Sequence, residues 1–126
     1  MRILFADDDP QVRAITTRAL HRQSWEVVTA ANGQEAIDCW PADGEPFDLV
    51  ILDVNMPQVN GYEAFHELQR LHPDARILFI SGYADVPSWR ALVEQGGQPF
   101  LPKPFSPRQL VDTVRCLTKN DHGSVA

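Results

Sequence analysis

Long hydrophobic runs are what this sequence most plainly lacks. No stretch approaches the ~20 apolar residues a helix needs to cross a bilayer, and Met1 leads straight into a short strand-like segment rather than a charged and apolar leader. The chain is therefore expected to carry no anchor or export signal, to insert into no membrane and to work in the cytoplasm. Cysteine is scarce: Cys39 and Cys116 are the two in 126 residues, with no CxxC spacing. That excludes a disulfide framework and a thiolate zinc site, and suits two free, mostly buried thiols in a reducing compartment. Basic charge is short as well, with 11 Lys+Arg against 17 Asp+Glu and a formal charge of −6. Direct binding to nucleic-acid phosphates, which needs clustered Lys and Arg, is disfavoured. No GxxxxGK[ST] loop is present to cradle a nucleotide. The four histidines (His21, His66, His72, His122) are scattered, as expected of helix surfaces or a tail rather than a metal site.

What is present is an ordinary soluble composition, 44% hydrophobic and 22% charged, which excludes a disordered or collagen-like chain. A chain of this length makes one domain and hides roughly two-thirds of its unfolded surface, enough for a core without metals or disulfides. Three short runs are wholly apolar: Ile3-Leu4-Phe5-Ala6, Leu49-Val50-Ile51-Leu52 and Ile77-Leu78-Phe79-Ile80. Such runs suit strands covered on both faces of a parallel sheet. The mixed segment from Trp25 to Ala30 predicts an edge strand, and Phe100-Leu101 a short fifth. Helical periodicity fills the gaps. Asp9-Pro10 starts a first helix with an acceptor cap and proline at the first position, and Val12, Ile15, Ala19 and Leu20 make its inward stripe. Asn32 caps a second, which ends before Pro41. A third opens at Gly61, with Phe65, Leu68 and Leu71 on one face. A fourth runs from about Val86 to Gly96-Gly97, with Trp89 favoured as core. The last starts at Ser106-Pro107 and turns Leu110, Val111, Val114 and Leu117 inward, leaving 119–126 as a frayed tail beyond a single domain at 1–118. Five βα repeats in order predict an α/β, doubly wound parallel five-stranded sheet with right-handed crossovers, whose ligands bind beyond the carboxyl ends of the strands.

The chemically capable residues sit at those ends. The first strand runs into Asp7-Asp8-Asp9, the third into Asp53, the fourth into Ser81-Gly82 and the fifth into Lys103-Pro104. Asp9 reads as a helix cap, but Asp7 and Asp8 cannot both be caps. If the first and third strands are neighbours, they crowd against Asp53. Like charges so placed destabilise the fold unless a cation joins them, and carboxylates plus water suit Mg²⁺. Lys103 and the Ser81 hydroxyl can bind an arriving anion. Taken singly, Lys103 reads as a surface charge and Ser81 as a cap; together with the acids they fit phosphoryl transfer to an aspartate.

In full, the motifs are Ile3-Leu4-Phe5-Ala6-Asp7-Asp8-Asp9-Pro10, Asp48 to Pro57 (DLVILDVNMP) followed by Gly61, Ser81-Gly82-Tyr83, and Lys103-Pro104-Phe105. Over about residues 2–118 the chain resembles the receiver domain of bacterial two-component response regulators, a flavodoxin-like fold related to CheY. The SGYA and FLPKPF segments are especially similar to receiver modules of hybrid sensor histidine kinases. The resemblance implies strand order 2-1-3-4-5. It implies that Asp53 takes a phosphoryl group from a phosphohistidine on a histidine kinase or phosphotransfer protein. It implies that Asp8 and Asp53 bind Mg²⁺ through their side chains, Asn55 through its backbone carbonyl and Asp7 through a water. Ser81 and Lys103 would contact the phosphoryl group, the Lys103-Pro104 peptide would be cis, and Ser81 with Phe100 would switch an output face. A phosphorylation-dependent dimer is a further implication. So is catalysis limited to the domain's own phosphorylation and dephosphorylation, with Asn55 and Tyr83 flanking the path of attacking water. Gly97 and Pro102 depart from the usual family pattern near that face.

Two rivals compete. A haloacid-dehalogenase-like phosphatase would use Asp7 and Asp9 as its DxD, but it expects an acidic pair after the lysine, where only the separated Asp112 and Asp121 follow, and it leaves the Asp53 segment idle. A receiver that signals without phosphate would have no need of Asp7, Asp8, Asp53, Ser81 and Lys103 together.

Overall fold

A computed structural model describes residues 1–39, 47–54, 61–81 and 99–123, with the side chains of 61–62 and 119–123 excepted. The apolar runs form five strands: β1 (Arg2–Ala6), β2 (Glu26–Ala30), β3 (Leu49–Asp53), β4 (Ile77–Ser81) and β5 (Phe100–Pro102). They pair in parallel in the order β2-β1-β3-β4-β5, as expected. The described helices are α1 (Pro10–His21), α2 (Gly33–Asp38), α3 (Gly61–Leu71) and α4 (Pro107–Gly123). The helix expected from about Val86, with Trp89 and Gly97, lies outside the described residues, as do Trp40, Asn55, Met56, Pro57, Gly82 and Tyr83.

The three central strands are apolar on both faces because helices cover both. Alternate residues point opposite ways. Leu4, Val50, Leu52 and Phe79 meet Ala36, Ala64, Phe65 and Leu68 from α2 and α3. Ile3, Phe5, Ile51, Leu78 and Ile80 meet Leu20, Leu110, Val111 and Val114 from α1 and α4. Phe79 stacks edge-on against Phe65, ring centroids 5.2 Å apart. β2 pairs with β1 alone and is the edge strand the mixed sequence predicts.

Caps appear where the side chains predict them. Asp9 Oδ1 accepts from the Gln11 N–H at 2.9 Å. Asn32 Oδ1 accepts from the Glu35 N–H at 2.8 Å, while Glu35 Oε1 accepts from the Ala31 N–H. Ser106 and Gln109 exchange side-chain to backbone bonds at 3.0 and 2.7 Å, a reciprocal cap at the start of α4. The Lys103-Pro104 peptide is cis.

Several local expectations change. α1 turns Thr16, Ala19 and Leu20 inward while Ile15 is 56% exposed, because the inward stripe is centred one residue later than counted. Leu71, at the end of α3, is also exposed. Cys116 is exposed rather than buried, since it falls between the inward positions Val114 and Leu117; Cys39 is half-buried. α4 runs on to Gly123, into the stretch read as a tail, because no proline or glycine interrupts it before that glycine. Pro102 closes β5, paired with Ser81 in the register, and as the last residue of an edge strand it is accommodated without an N–H.

Candidate functional site

Parallel register brings the strand ends level. Ala6 pairs with Leu52, Asp53 with Ile80, and Ser81 with Pro102. The next residues therefore emerge side by side: Asp7 after β1, Asp53 at the close of β3, Ser81 at the close of β4 and Lys103 after β5. The Lys103 N–H donates to the Ser81 carbonyl at 2.7 Å, which seats the lysine. On the β1 side the Asp7 N–H donates to the Ala30 carbonyl at 3.0 Å.

The side chains then converge. Lys103 Nζ lies 2.6 Å from Asp7 Oδ2 and 3.1 Å from Asp53 Oδ2. Asp7, Asp8 and Asp53 each offer a carboxylate oxygen within 4.8 Å of the others. Asp7 is fully buried and Asp53 is 2% exposed, whereas Asp8 faces solvent. Ser81 is fully buried beside them. Burial alone would lower the Lys103 pKa. The contact with Asp7 and the charges of Asp53 and Asp7 outweigh it and hold the ammonium above its ordinary value. The lysine is thus the cation shared by two buried carboxylates.

Asp7 is gripped on two further sides. Its Oδ1 accepts from the Asp9 N–H at 2.9 Å, and its carbonyl accepts from Arg13 Nη1 at 2.6 Å. Its Oδ2 meets the lysine as an ion pair, but no well-aligned hydrogen-bond donor reaches that buried oxygen. One amine shared between two carboxylates, a third carboxylate open to water and a buried oxygen still lacking a donor fit a hard divalent ion that keeps some of its waters. Arg13 is the site residue that sequence reasoning did not single out. Its one signal is position, one helical turn beyond the Asp9 cap, and an arginine there looks like any exposed helix residue.

Phe100, named as a switch residue, opens β5 half-buried, paired with Phe79 on the sheet and packed against the core under α2 and α3. Asn55 and Tyr83 fall outside the described residues.

This geometry has close relatives. A family model described as the response regulator receiver domain matches residues 3–115. The sensor kinase CckA of Brucella abortus is 39% identical over 120 residues, covering 94% of this chain and 13% of that protein. The DNA-binding transcriptional regulator NtrC of Azospirillum brasilense is 39% identical over 119 residues, covering 94% of this chain and 24% of that protein. The chain therefore spans only a fraction of these curated relatives. Among solved structures, a CheY-like response regulator receiver domain protein from Methanospirillum hungatei superimposes with a TM-score of 0.86 at 25% identity, covering 98% of this chain and 97% of that one.

Proposed function

Because this chain belongs to the response regulator receiver family, we propose that Asp53 is the residue through which it does a receiver's work. Receiver domains take a phosphoryl group from histidine kinases or phosphotransfer proteins, bind Mg²⁺ at an acidic pocket, and act as phosphorylation-dependent switches rather than enzymes that turn over a metabolite. The place of Asp53 carries the assignment: it closes the middle strand β3 with Lys103 Nζ 3.1 Å away on one side and the acids Asp7 and Asp8 within 4.8 Å, whereas Asp7, equally buried and nearer the lysine, has its Oδ1 held by the Asp9 N–H.

In the transfer, an Asp53 carboxylate oxygen attacks the phosphorus of a partner's phosphohistidine. The P–N bond breaks, the imidazole leaves with the electron pair and takes up a proton, and an acyl phosphate remains. Asp8 and Asp53 would hold Mg²⁺ through their side chains, Asn55 through its backbone carbonyl and Asp7 through a water. When bound, the ion supplies positive charge to the phosphoryl oxygens. Lys103 then leaves the Asp53 carboxylate for a phosphoryl oxygen and keeps its contact with Asp7, while the Ser81 hydroxyl donates to another oxygen. The product carries roughly −1.5 to −2 charge at Asp53. Movement of Ser81 toward it frees space for Phe100 to turn inward and bias the output face, with a phosphorylation-dependent dimer as one readout. Hydrolysis of its own acyl phosphate is the only other reaction, tuned by Asn55 and Tyr83. The receiver unit is taken as 1–118, working in the cytoplasm without touching nucleic acid.

Asp53→Asn tests the reading. Incubated with a phosphohistidine donor and Mg²⁺, the wild-type chain is expected to gain one phosphoryl group at Asp53 by mass spectrometry, and the variant none. A variant that still gains it at another residue sinks the assignment. Beryllofluoride with Mg²⁺ should bind the wild-type chain and shift its tryptophan fluorescence or amide spectra, which a receiver that signals without phosphate would not do.

A further inference from the structure

The sequence is acidic overall, yet α1 carries Arg13, Arg18 and His21, with Arg22 at its end, and no Asp or Glu. These four, with Thr17 and Thr29, line a shallow, solvent-open groove of about 650 Å³ between α1 and the edge strand β2. No carboxylate lines it. Of the other arginines, Arg2 pairs with Glu26, Arg70 with Glu67 and, more loosely, Arg108 with Asp112, while Arg115 bonds Gln23 and lies over the Trp25 ring. Among the described residues, Arg13, Arg18 and Arg22 pair with no carboxylate: the Arg13 side chain is held by the Asp7 carbonyl alone. The groove is a concentration of uncompensated positive charge on a molecule of net charge −6.

We propose that this groove between α1 and β2 docks an acidic peptide segment of a partner protein. Arg18 and Arg22 stand one helical turn apart, a rise of about 6 Å. Alternate residues of an extended chain are about 6.6 Å apart on one side, so carboxylates two residues apart meet both guanidinium groups, each able to accept a paired bond. Ala14 and Val27 line the groove beside the exposed Thr29 and the unpartnered Thr17 hydroxyl, so small apolar residues fit between the carboxylates of such a segment, whereas an aliphatic helix face would leave the guanidinium groups without anions. A long polyanion is disfavoured for a different reason. Arg13 ties the groove to the Asp7 carbonyl, so strand-length phosphates running past it enter the field of three clustered carboxylates. A short segment stops before it. The proposal is independent of which residue accepts phosphate.

The test is fluorescence anisotropy of a labelled peptide alternating Glu and Ala, at low ionic strength, against the full chain. The peptide is expected to bind, to weaken steeply with added salt, and to lose about tenfold in affinity when Arg18→Glu and Arg22→Glu are combined. The milder pair Arg18→Ala with Arg22→Ala should fall between. Thermal melts and beryllofluoride binding of both variants, expected unchanged, guard against loss of fold. Absent binding, equal binding by the charge-reversed variant, or equal binding of a Lys–Ala peptide overturns the proposal. Tighter binding of a single-stranded oligonucleotide of the same charge overturns it in favour of nucleic acid. Inorganic phosphate competing as well as free glutamate at equal charge would show an unselective anion patch and overturn it too.

Discussion

At the scale of single residues, Lys103 decides how the site holds together before any ligand arrives. It sits between two buried carboxylates, so removing it leaves like charges facing each other out of water. Lys103→Met is expected to cost about 3–5 kcal/mol by urea denaturation, and adding Asp53→Asn should restore part of that. The lysine pKa is held above its ordinary value, so its contribution is complete below about pH 10.4, the unfolded value, and fades as pH rises through the higher folded value. The urea midpoint should fall in that alkaline window for the wild-type chain and lose that component of its slope in Lys103→Met. Asp7, Asp53, Ser81 and Lys103 were legible in the sequence because each follows an apolar run directly, and a parallel sheet aligns the ends of such runs. Arg13 was not, because its role depends on the Asp7 carbonyl six residues earlier, placed by a loop conformation that no residue pattern spells out. Arg13→Ala should lower stability by about 1–2 kcal/mol through the unpaired Asp7 carbonyl.

At the scale of elements, β1, β3 and β4 announce themselves as unbroken apolar runs, and the caps at Asp9, Asn32 and Ser106 fix where helices begin. Which side of a helix faces inward was less secure. Val12 and Ile15 looked equivalent by spacing, yet α1 rotates so that Thr16 fills the interior and Ile15 stands out, lining a cavity of about 220 Å³ with Lys103, Pro104 and Phe105. A threonine methyl suits that crowded spot, and hydrophobicity alone ranks the two residues the other way. Ile15→Ser should therefore change stability by less than about 0.5 kcal/mol, whereas Phe79→Ala, deep under α3, should cost about 3–5 kcal/mol; chemical denaturation of the two side by side tests the contrast. The turn after α1 holds Ser24 at φ 65°, left-handed without being glycine. Relief of that conformation in Ser24→Gly should outweigh the added freedom of the unfolded chain and raise the melting temperature slightly.

At the scale of the whole molecule, the sheet brings together acids that lie 46 positions apart, Asp7 and Asp53, and a lysine 50 further on, an arrangement set by strand order rather than by any local pattern. The alternation of elements made a parallel sheet inferable and the family resemblance supplied its order; the register that levels the strand ends emerged only in three dimensions. Charge convergence also predicts a ligand-linked stability. Mg²⁺ at a hundred times its dissociation constant should stabilise the fold by about 2.7 kcal/mol, read as a rise in melting temperature that Asp53→Asn abolishes. All five strands point their carboxyl ends at the site, so Met1, bonded through its carbonyl to Glu26 at the opposite end, and Leu117, whose carbonyl receives Arg76 ahead of β4, both lie at the foot of the sheet. Chain continuing from Leu117 along α4 sets out from the end of the sheet remote from the three acids.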